Sequence, residues 1–197
     1  MTTDRLLARM GGGVSGLRSG LALGIIVAAL CPAAAAANDY RYSSAGADLP
    51  TSLRTCTVGV SLFSRDDSLA PFAPNTNSAI HTATSSSCTY MAGQPNPSLI
   101  IDAMTYEEVV DAAPRLVRAD SCVNDPNLTF YCATDSDYFF GLQGVKYEAV
   151  ANFTIQLPAN ETFTTVPTGC TLSNPAVRHL VRCKLNTSLV THSVTDG

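Results

Sequence analysis

The 197-residue sequence contains no tryptophan, and only 14% of its residues are charged. The motifs G-x-S-x-G, H-E-x-x-H, G-x-G-x-x-G and the P-loop, which mark common catalytic and nucleotide-binding sites, do not occur. No apolar run reaches the about 20 residues that a membrane-spanning helix requires. The cysteines never form C-x-x-C, a spacing typical of zinc sites and redox centres. These absences argue against a membrane-spanning protein, a zinc protein, and the enzyme classes that carry these motifs.

The N-terminal segment has the parts of a secretory signal peptide. Three arginines within the first 18 residues precede a short apolar run, Leu21–Leu30, which is followed by the alanine-rich segment "CPAAAAAND". We predict cleavage after Ala37, with Met10 as an alternative start. A buried core helix is a weaker interpretation. A lipoprotein signal is also disfavoured, because Cys31 follows "AAL" rather than a small residue. The sequence therefore predicts an exported protein whose localisation is secreted or at the cell surface.

Without residues 1–37, the chain keeps 9 Lys and Arg against 15 Asp and Glu, a formal net charge of −6. Nucleic acids and heparin-like polyanions require clustered positive charge, so we expect no nucleic-acid partner. About 160 residues suffice for one domain with a core. We expect an N-terminal linker at 38–50 and the domain at 51–194. The polar end of the chain restricts any membrane attachment to a lipid anchor whose signal this sequence does not contain.

Six cysteines remain after the leader, and in an oxidising compartment an even number predicts three disulfides. They are Cys56, Cys88, Cys122, Cys132, Cys170 and Cys183. His179 lies four residues before Cys183, but no cluster of Cys and His at metal-ligand spacing accompanies it. We therefore expect neither a metal nor another cofactor. Six cysteines allow fifteen pairings, among which spacing alone does not choose.

Alternation of apolar and polar residues predicts strands, and clusters of Pro, Asn, Ser and Gly between them predict turns. The predicted strands include 56–63, 98–104, 127–132, 150–158 and 181–186. One segment, "MTYEEVVDAAP", predicts a short helix, because Thr105 and Glu108 have the spacing of a capping box and Pro114 limits the far end. The predicted fold class is all-β, a disulfide-stapled six-cysteine β-sandwich with one short helix.

Four N-x-S/T sequons predict glycosylation sites if the protein comes from a eukaryote or its virus. The acceptor residues are Asn127, Asn152, Asn160 and Asn186. Asn152 and Asn186 fall on the predicted polar faces of their strands, and Asn160 falls in a turn. We therefore predict a glycoprotein.

Candidate catalytic residues are few and scattered. They are the histidines His81, His179 and His192 and the acidic pairs Asp66–Asp67 and Glu107–Glu108. A Ser/His/Asp arrangement or a pair of catalytic carboxylates is conceivable from these residues. Adjacent carboxylates are more often solvated turn or helix-start residues, and Glu108 already has a predicted capping role. We therefore predict no catalysis.

The cysteine layout and the last strands together carry a family resemblance. Two widely spaced cysteines precede a close pair, Cys122 and Cys132, and after a long gap comes a second close pair, Cys170 and Cys183. "NFTIQLPANETFTTVPTGC" leads into the last pair, and "CKLNTSLVT" begins the closing strand. From about Thr51 to Val194, this pattern resembles the SRS family, the surface-antigen-related glycoproteins of coccidian apicomplexan parasites.

The resemblance implies a nested set of disulfides, Cys56–Cys183, Cys88–Cys170 and Cys122–Cys132. It also implies a lipid-anchored, often dimeric surface protein used in host-cell attachment and immune modulation, so a homodimer is one expected arrangement. The sequence departs from the family in three respects. The mature chain is acidic where some members have a basic groove, an anchor tail is absent, and "ATSSSC" before Cys88 is more polar than a strand there should be.

Three hypotheses of function follow from the sequence. The first is a surface antigen or adhesin that binds a host-cell glycan or protein. The second is a secreted immunoglobulin-like module for receptor binding or immune evasion. "TCTVGVS" and "FYCATDSDYFFG" are similar to strands around a variable-domain disulfide, although the buried tryptophan of that fold is missing. The third is an extracellular hydrolase with an unrecognised site.

Overall fold

A computed structural model describes residues 40–66 and 77–191. These residues form ten β-strands in two antiparallel sheets, so the predicted all-β sandwich is confirmed. The predicted signal peptide, His192, Asp67 and the last residues of the predicted domain lie outside the described residues. Within the described ranges, the structure contains no helix of the length and hydropathy needed to cross a membrane.

The first sheet has the strand order β1-β2-β3-β6, and β7 pairs with the other end of β3. Its strands are β1 (Tyr40–Pro50), β2 (Thr55–Asp66), β3 (Asn77–Cys88), β6 (Tyr131–Asp135) and β7 (Phe139–Leu142). The segment 38–50 was expected to be a linker. From Tyr40 onward it is instead strand β1, paired residue by residue with β2. The alternating polar and small residues of this segment allow a strand that covers one edge of the core.

The second sheet has the order β5-β4-β8-β10-β9. Its strands are β4 (Ser98–Glu107), β5 (Arg115–Val123), β8 (Lys146–Gln156), β9 (Cys170–Leu172) and β10 (Leu180–Val190). The central strand β8 is paired on both sides along its whole length, with β4 and with β10. The alternation predicted for 150–158 and 181–186 therefore matches the two faces of this sheet.

The core lies between the sheets and is formed by alternate residues of the long strands, as the two-residue period of a strand requires. The first sheet contributes Leu49, Val58, Val60, Leu62 and Ile80, and the second contributes Leu99, Ile101, Tyr147, Phe153, Ile155, Val181 and Leu185. All of these side chains are buried. Burial also raises the pKa of the Tyr147 phenol, whose oxygen accepts a hydrogen bond from the Leu142 amide at 2.9 Å.

The predicted short helix at 104–114 is wrong. Strand β4 continues through Glu107, and the chain then turns at 108–114, with Asp111 at a φ of 61°. Thr105 does not cap a helix, because its buried hydroxyl lies 2.8 Å from the Thr82 hydroxyl of the first sheet. Glu107 pairs with Arg115 of β5. Pairing with β5 and β8 on both sides of this segment overrides its local helical pattern.

The disulfides differ from the nested set in two of three bridges. The structure joins Cys56 to Cys88, Cys122 to Cys132, and Cys170 to Cys183, so only Cys122–Cys132 matches. The physical reason is strand register, because Cys56 lies directly opposite Cys88 and Cys170 directly opposite Cys183. Each sheet therefore has its own disulfide. The third bridge joins β5 of the second sheet to β6 of the first.

A buried ion pair also joins the two sheets. Arg54, in the turn after β1, donates from Nε to Glu161 Oε1 at 3.2 Å, and both side chains are fully buried. Arg54 also donates to the carbonyls of Thr89 and Pro95, and Thr51 donates its hydroxyl to Glu161. Charges buried this deeply are tolerated only when they are paired and hydrogen-bonded. The pair thus anchors the β1–β2 turn to the segment that follows β8.

Candidate binding surface on the outer face of the first sheet

A row of aromatic side chains crosses the outer face of the first sheet. Tyr42 of β1 lies opposite Phe63 of β2, and Phe63 lies opposite His81 of β3. Directly opposite residues of an antiparallel pair have neighbouring side chains on the same face. Tyr138, in the segment between β6 and β7, extends the row by stacking on His81. The sheet register therefore places four rings side by side across three strands.

The rings are in contact and follow the spacing of the strands. The ring centroids are 4.8 Å apart between Tyr42 and Phe63, 5.5 Å between Phe63 and His81, and 4.9 Å between His81 and Tyr138. Successive planes are inclined by 49°, 43° and 27°, so the row is stepped rather than flat. Tyr42 and Tyr138 are each 60% exposed, whereas His81 is mostly covered. The two ends of the row thus present large ring surfaces to solvent.

A second rung of the same face lies toward the N-terminal end of β1. Tyr40, Arg65 and Ala79 lie opposite one another, and Phe140 of β7 follows opposite Ala79. The Arg65 guanidinium lies 5.9 Å from the centre of the Tyr40 ring, a cation–π distance. Tyr40 and Phe140 are each more than 60% exposed. Monomeric proteins rarely expose so many aromatic rings together unless the surface binds something.

His81 and Asp135 form the polar element of the row. His81 Nε2 contacts Asp135 Oδ1, and the Asp135 side chain is 76% exposed. Asp135 ends β6, where its Cα lies opposite Ala83 of β3. The pair fixes the imidazole between Phe63 and Tyr138 and places a carboxylate beside the aromatic rings. A ligand on these rings can therefore also donate hydrogen bonds to Asp135.

On the other side of the aromatic row, the sheet carries only small side chains. Ser44, Ser61 and Ala83 form the next rung, and Gly46, Gly59 and Ser85 form the rung after it. The result is a shallow depression of about 340 Å³ with Tyr42 at its rim. The outer face of the first sheet thus combines an aromatic row with an adjoining depression, and we call these together the aromatic face.

The outer face of the second sheet has a different chemistry. Its strands present polar and charged residues, among them Asp102, Glu148, Thr154, Arg182 and Lys184. Asn152 and Asn186 also lie on this face, and Asn186 donates to Glu148 Oε1 at 3.0 Å. The positions of these two sequons match the predicted polar faces of their strands. Asn127 and Asn160 lie exposed in loops. None of the four sequons lies on the aromatic face.

The structure separates the sequence-predicted catalytic candidates. His179 Nδ1 lies 2.5 Å from the Glu161 carbonyl oxygen, far along the chain from His81 and its Asp135 partner. Glu107 is buried against Arg115 and raises the pKa of that guanidinium, while Glu108 pairs with Lys146 at 2.9 Å and raises the pKa of the amine. Among the described residues, no three His, Cys, Asp or Glu side chains cluster as metal ligands would.

A larger depression, of about 660 Å³, lies between the 108–113 turn and the turn that precedes β8. Its side chains are mostly aliphatic, with Val109, Val110, Val145 and Val190 around the Glu108–Lys146 pair. No ring and no nucleophile lines it. Both potential hydrogen-bonding side chains are already paired with each other, so this depression offers little chemistry for recognising a ligand.

No protein-family model matches the chain, and neither a curated protein nor a solved structure is significantly similar to it. The fold defines a class, a disulfide-bonded all-β sandwich. Fold class alone does not assign a function, which must be argued from the aromatic face itself.

The sequence search did not find this face. The available signal was the alternation of Tyr40 and Tyr42 in "DYRYSS", which places both rings on one side of a strand. The other rings come from separate strands and a connecting segment. Their alignment depends on the register of β2, β3 and β7, which no single stretch of sequence encodes.

Proposed function

We propose that the protein is an exported adhesin or surface antigen that acts by binding a host-cell ligand through the aromatic face, without catalysis. The observation that carries this proposal is the row formed by Tyr42, Phe63, His81 and Tyr138. Exposed tyrosine and phenylalanine rings are costly to hydrate and are enriched at the centres of binding surfaces. Three disulfides suit such a surface to an oxidising, protease-rich environment outside the cell.

Membership of the SRS family remains a prediction from the sequence. The family implies bridges from Cys56 to Cys183 and from Cys88 to Cys170, whereas here both bridges lie within single sheets. The proposal of adhesion therefore rests on the aromatic face and not on the family. The immunoglobulin-like alternative would be favoured by a Cys56–Cys132 bridge, and Cys56 is joined to Cys88 instead.

The test is a cell-binding assay with the secreted protein displayed in many copies on fluorescent beads. Wild-type beads are compared with the double variant Tyr42→Ser/Tyr138→Ser on a panel of cultured animal cells. Tyr106→Ser is the matched control, because Tyr106 lies on the outer face of the second sheet. We expect the double variant to lose at least about tenfold in apparent affinity, the loss that follows from removing about 1.4 kcal/mol of contact energy.

Two results would contradict the proposal. Wild-type beads that bind no cell type would argue against adhesion. A double variant that binds as well as wild type would show that adhesion uses another surface. Circular dichroism and thermal unfolding of each variant distinguish loss of binding from loss of fold.

A further inference from the structure

We infer that the aromatic face binds an uncharged oligosaccharide, with pyranose rings stacked on Tyr42 and Tyr138. This inference rests on the proposed function and names its ligand class. The rings present hydrophobic surfaces, and the adjoining serines and Asp135 present hydrogen-bonding groups. A pyranose has the same two parts, an apolar ring face and a rim of hydroxyl groups. Ligand sites generally combine aromatic surface with a few polar groups in this way.

The arrangement of the rings favours a chain of separate rings over a single flat ligand. Four rings extend over three steps of about one strand spacing each, and neighbouring planes are inclined by 27° to 49°. A rigid planar molecule could cover only one of these planes at a time. An oligosaccharide can adjust, because each glycosidic linkage allows successive sugar rings to tilt. The row therefore fits a short oligosaccharide lying across the strands.

Charge on the face selects an uncharged glycan. The face carries the carboxylates of Asp48 and Asp135, both exposed, and its cation Arg65 lies against the Tyr40 ring. Sulfated or carboxylated sugars would meet these carboxylates and be repelled. A second copy of the chain, packed face to face, would bring two Asp135 side chains into one interface. Like charges in an interface are unfavourable, so a neutral polyol is the better complement.

Two glycines beside the row provide the room that a sugar ring needs. Gly46 and Gly59 lie opposite each other in β1 and β2, and neither has a positive φ. A Cβ at Gly59 would meet its nearest atoms only at 3.8 Å, so the fold tolerates a side chain there. Glycine in a strand interior is destabilising and often marks a close approach by a ligand. The aromatic row thus has open space on the side where a stacked sugar would project.

The distribution of sequons agrees with this assignment. Asn152 and Asn186 project from the outer face of the second sheet, on the opposite side of the sandwich from the aromatic rings. Asn127 and Asn160 lie in loops. Glycans attached at these positions would leave the aromatic face uncovered, as a receptor for external glycans requires.

The test is a binding titration of the secreted protein against immobilised linear hexamers of glucose, mannose and N-acetylglucosamine, with heparin as the anionic probe. Wild type is compared with Tyr42→Ser/Tyr138→Ser, with Gly59→Val, which fills the space beside the row, and with Ser85→Leu as a second filling variant. Tyr106→Ser again serves as the control. Sedimentation velocity at rising protein concentration measures self-association, and thermal unfolding measures the fold of each variant.

We expect wild type and Tyr106→Ser to bind at least one neutral hexamer and not heparin. The double variant and a filling variant that folds normally should each weaken binding by at least about tenfold, which is about 1.4 kcal/mol. Binding only to heparin would overturn the inference, as would hexamer binding that the folded variants leave unchanged. Concentration-dependent dimers lost in Ser85→Leu would assign the face to a second copy instead. If cell binding depends on Tyr42 and Tyr138 but no hexamer binds, the inference fails while the proposed function stands.

Discussion

The two sheets share one core but differ on their outer faces. The first sheet presents aromatic rings and very small side chains, whereas the second presents charged side chains and two sequons. Each sheet also has its own disulfide, Cys56–Cys88 in the first and Cys170–Cys183 in the second. The comparison separates two kinds of constraint. Inward residues must fill the core, while outward residues are free of that requirement and can serve a ligand.

If this separation is correct, substitutions that act on the junction between the sheets should affect stability, and substitutions on the outer faces should not. The strongest test is Glu161→Ala. It leaves the Arg54 guanidinium buried without its ion-pair partner, which costs about 3–5 kcal/mol. Chemical denaturation should show this loss in the free energy of unfolding. The control is Asp120→Ala, which removes a partly exposed pair with Arg118 and should cost no more than about 1 kcal/mol. Equal losses in both variants would contradict the assigned role of the buried pair.

The next effect concerns the disulfide between the sheets. Replacing both Cys122 and Cys132 by serine opens a short loop, since the two residues are separated by 10 positions. The entropy of the unfolded chain then rises, and we expect a loss of about 3 kcal/mol. Peptide mapping of the variant without reduction should still find Cys56 joined to Cys88. Finding Cys56 joined to Cys183 instead would support the nested arrangement and break the comparison between the sheets.

The smallest effect distinguishes an inward glycine from an outward one in the same sheet. A Cβ at Gly141 of β7 would lie 2.7 Å from Tyr147 Cζ, so Gly141→Ala must displace a buried ring and should cost about 1–3 kcal/mol. Gly59→Ala meets no atom closer than 3.8 Å and should leave stability unchanged or slightly higher. Thermal unfolding of the two variants measures the difference. A Gly59 variant as unstable as the Gly141 variant would mean that the outer face does contribute to the fold.

The strand pattern was predictable where apolar and polar residues alternate. In β2 and β8, Val58, Val60, Phe153 and Ile155 face the core as predicted. The prediction failed where polar residues face inward. In β3, Thr82, Thr84 and Ser86 are buried, and Thr84 is hydrogen-bonded to Thr134 of β6. These residues give no hydrophobic signal, since only a partner strand can supply their hydrogen bonds.

Local signals also failed where the two sheets compete with a helical pattern. The segment after Met104 contains a capping-box spacing, but Thr105 bonds to Thr82 and Glu107 to Arg115. Both partners are distant in sequence or on another strand. The predicted strand at 127–132 failed similarly, because β6 begins only at Tyr131. The preceding residues form a turn in which the amides of Leu128 and Thr129 donate to the carbonyl of Asp125.

The sequence by itself determined the all-β class, the even set of six cysteines and the outward positions of Asn152 and Asn186. Each depends on composition or on the two-residue period of a strand, which are local properties. Only the tertiary structure decided the disulfide pairing and the aromatic row. Both depend on strand register, which brings Cys56 opposite Cys88 and Tyr42 opposite Phe63. Register is set by how all the strands pack over one core, so it is a property of the whole domain.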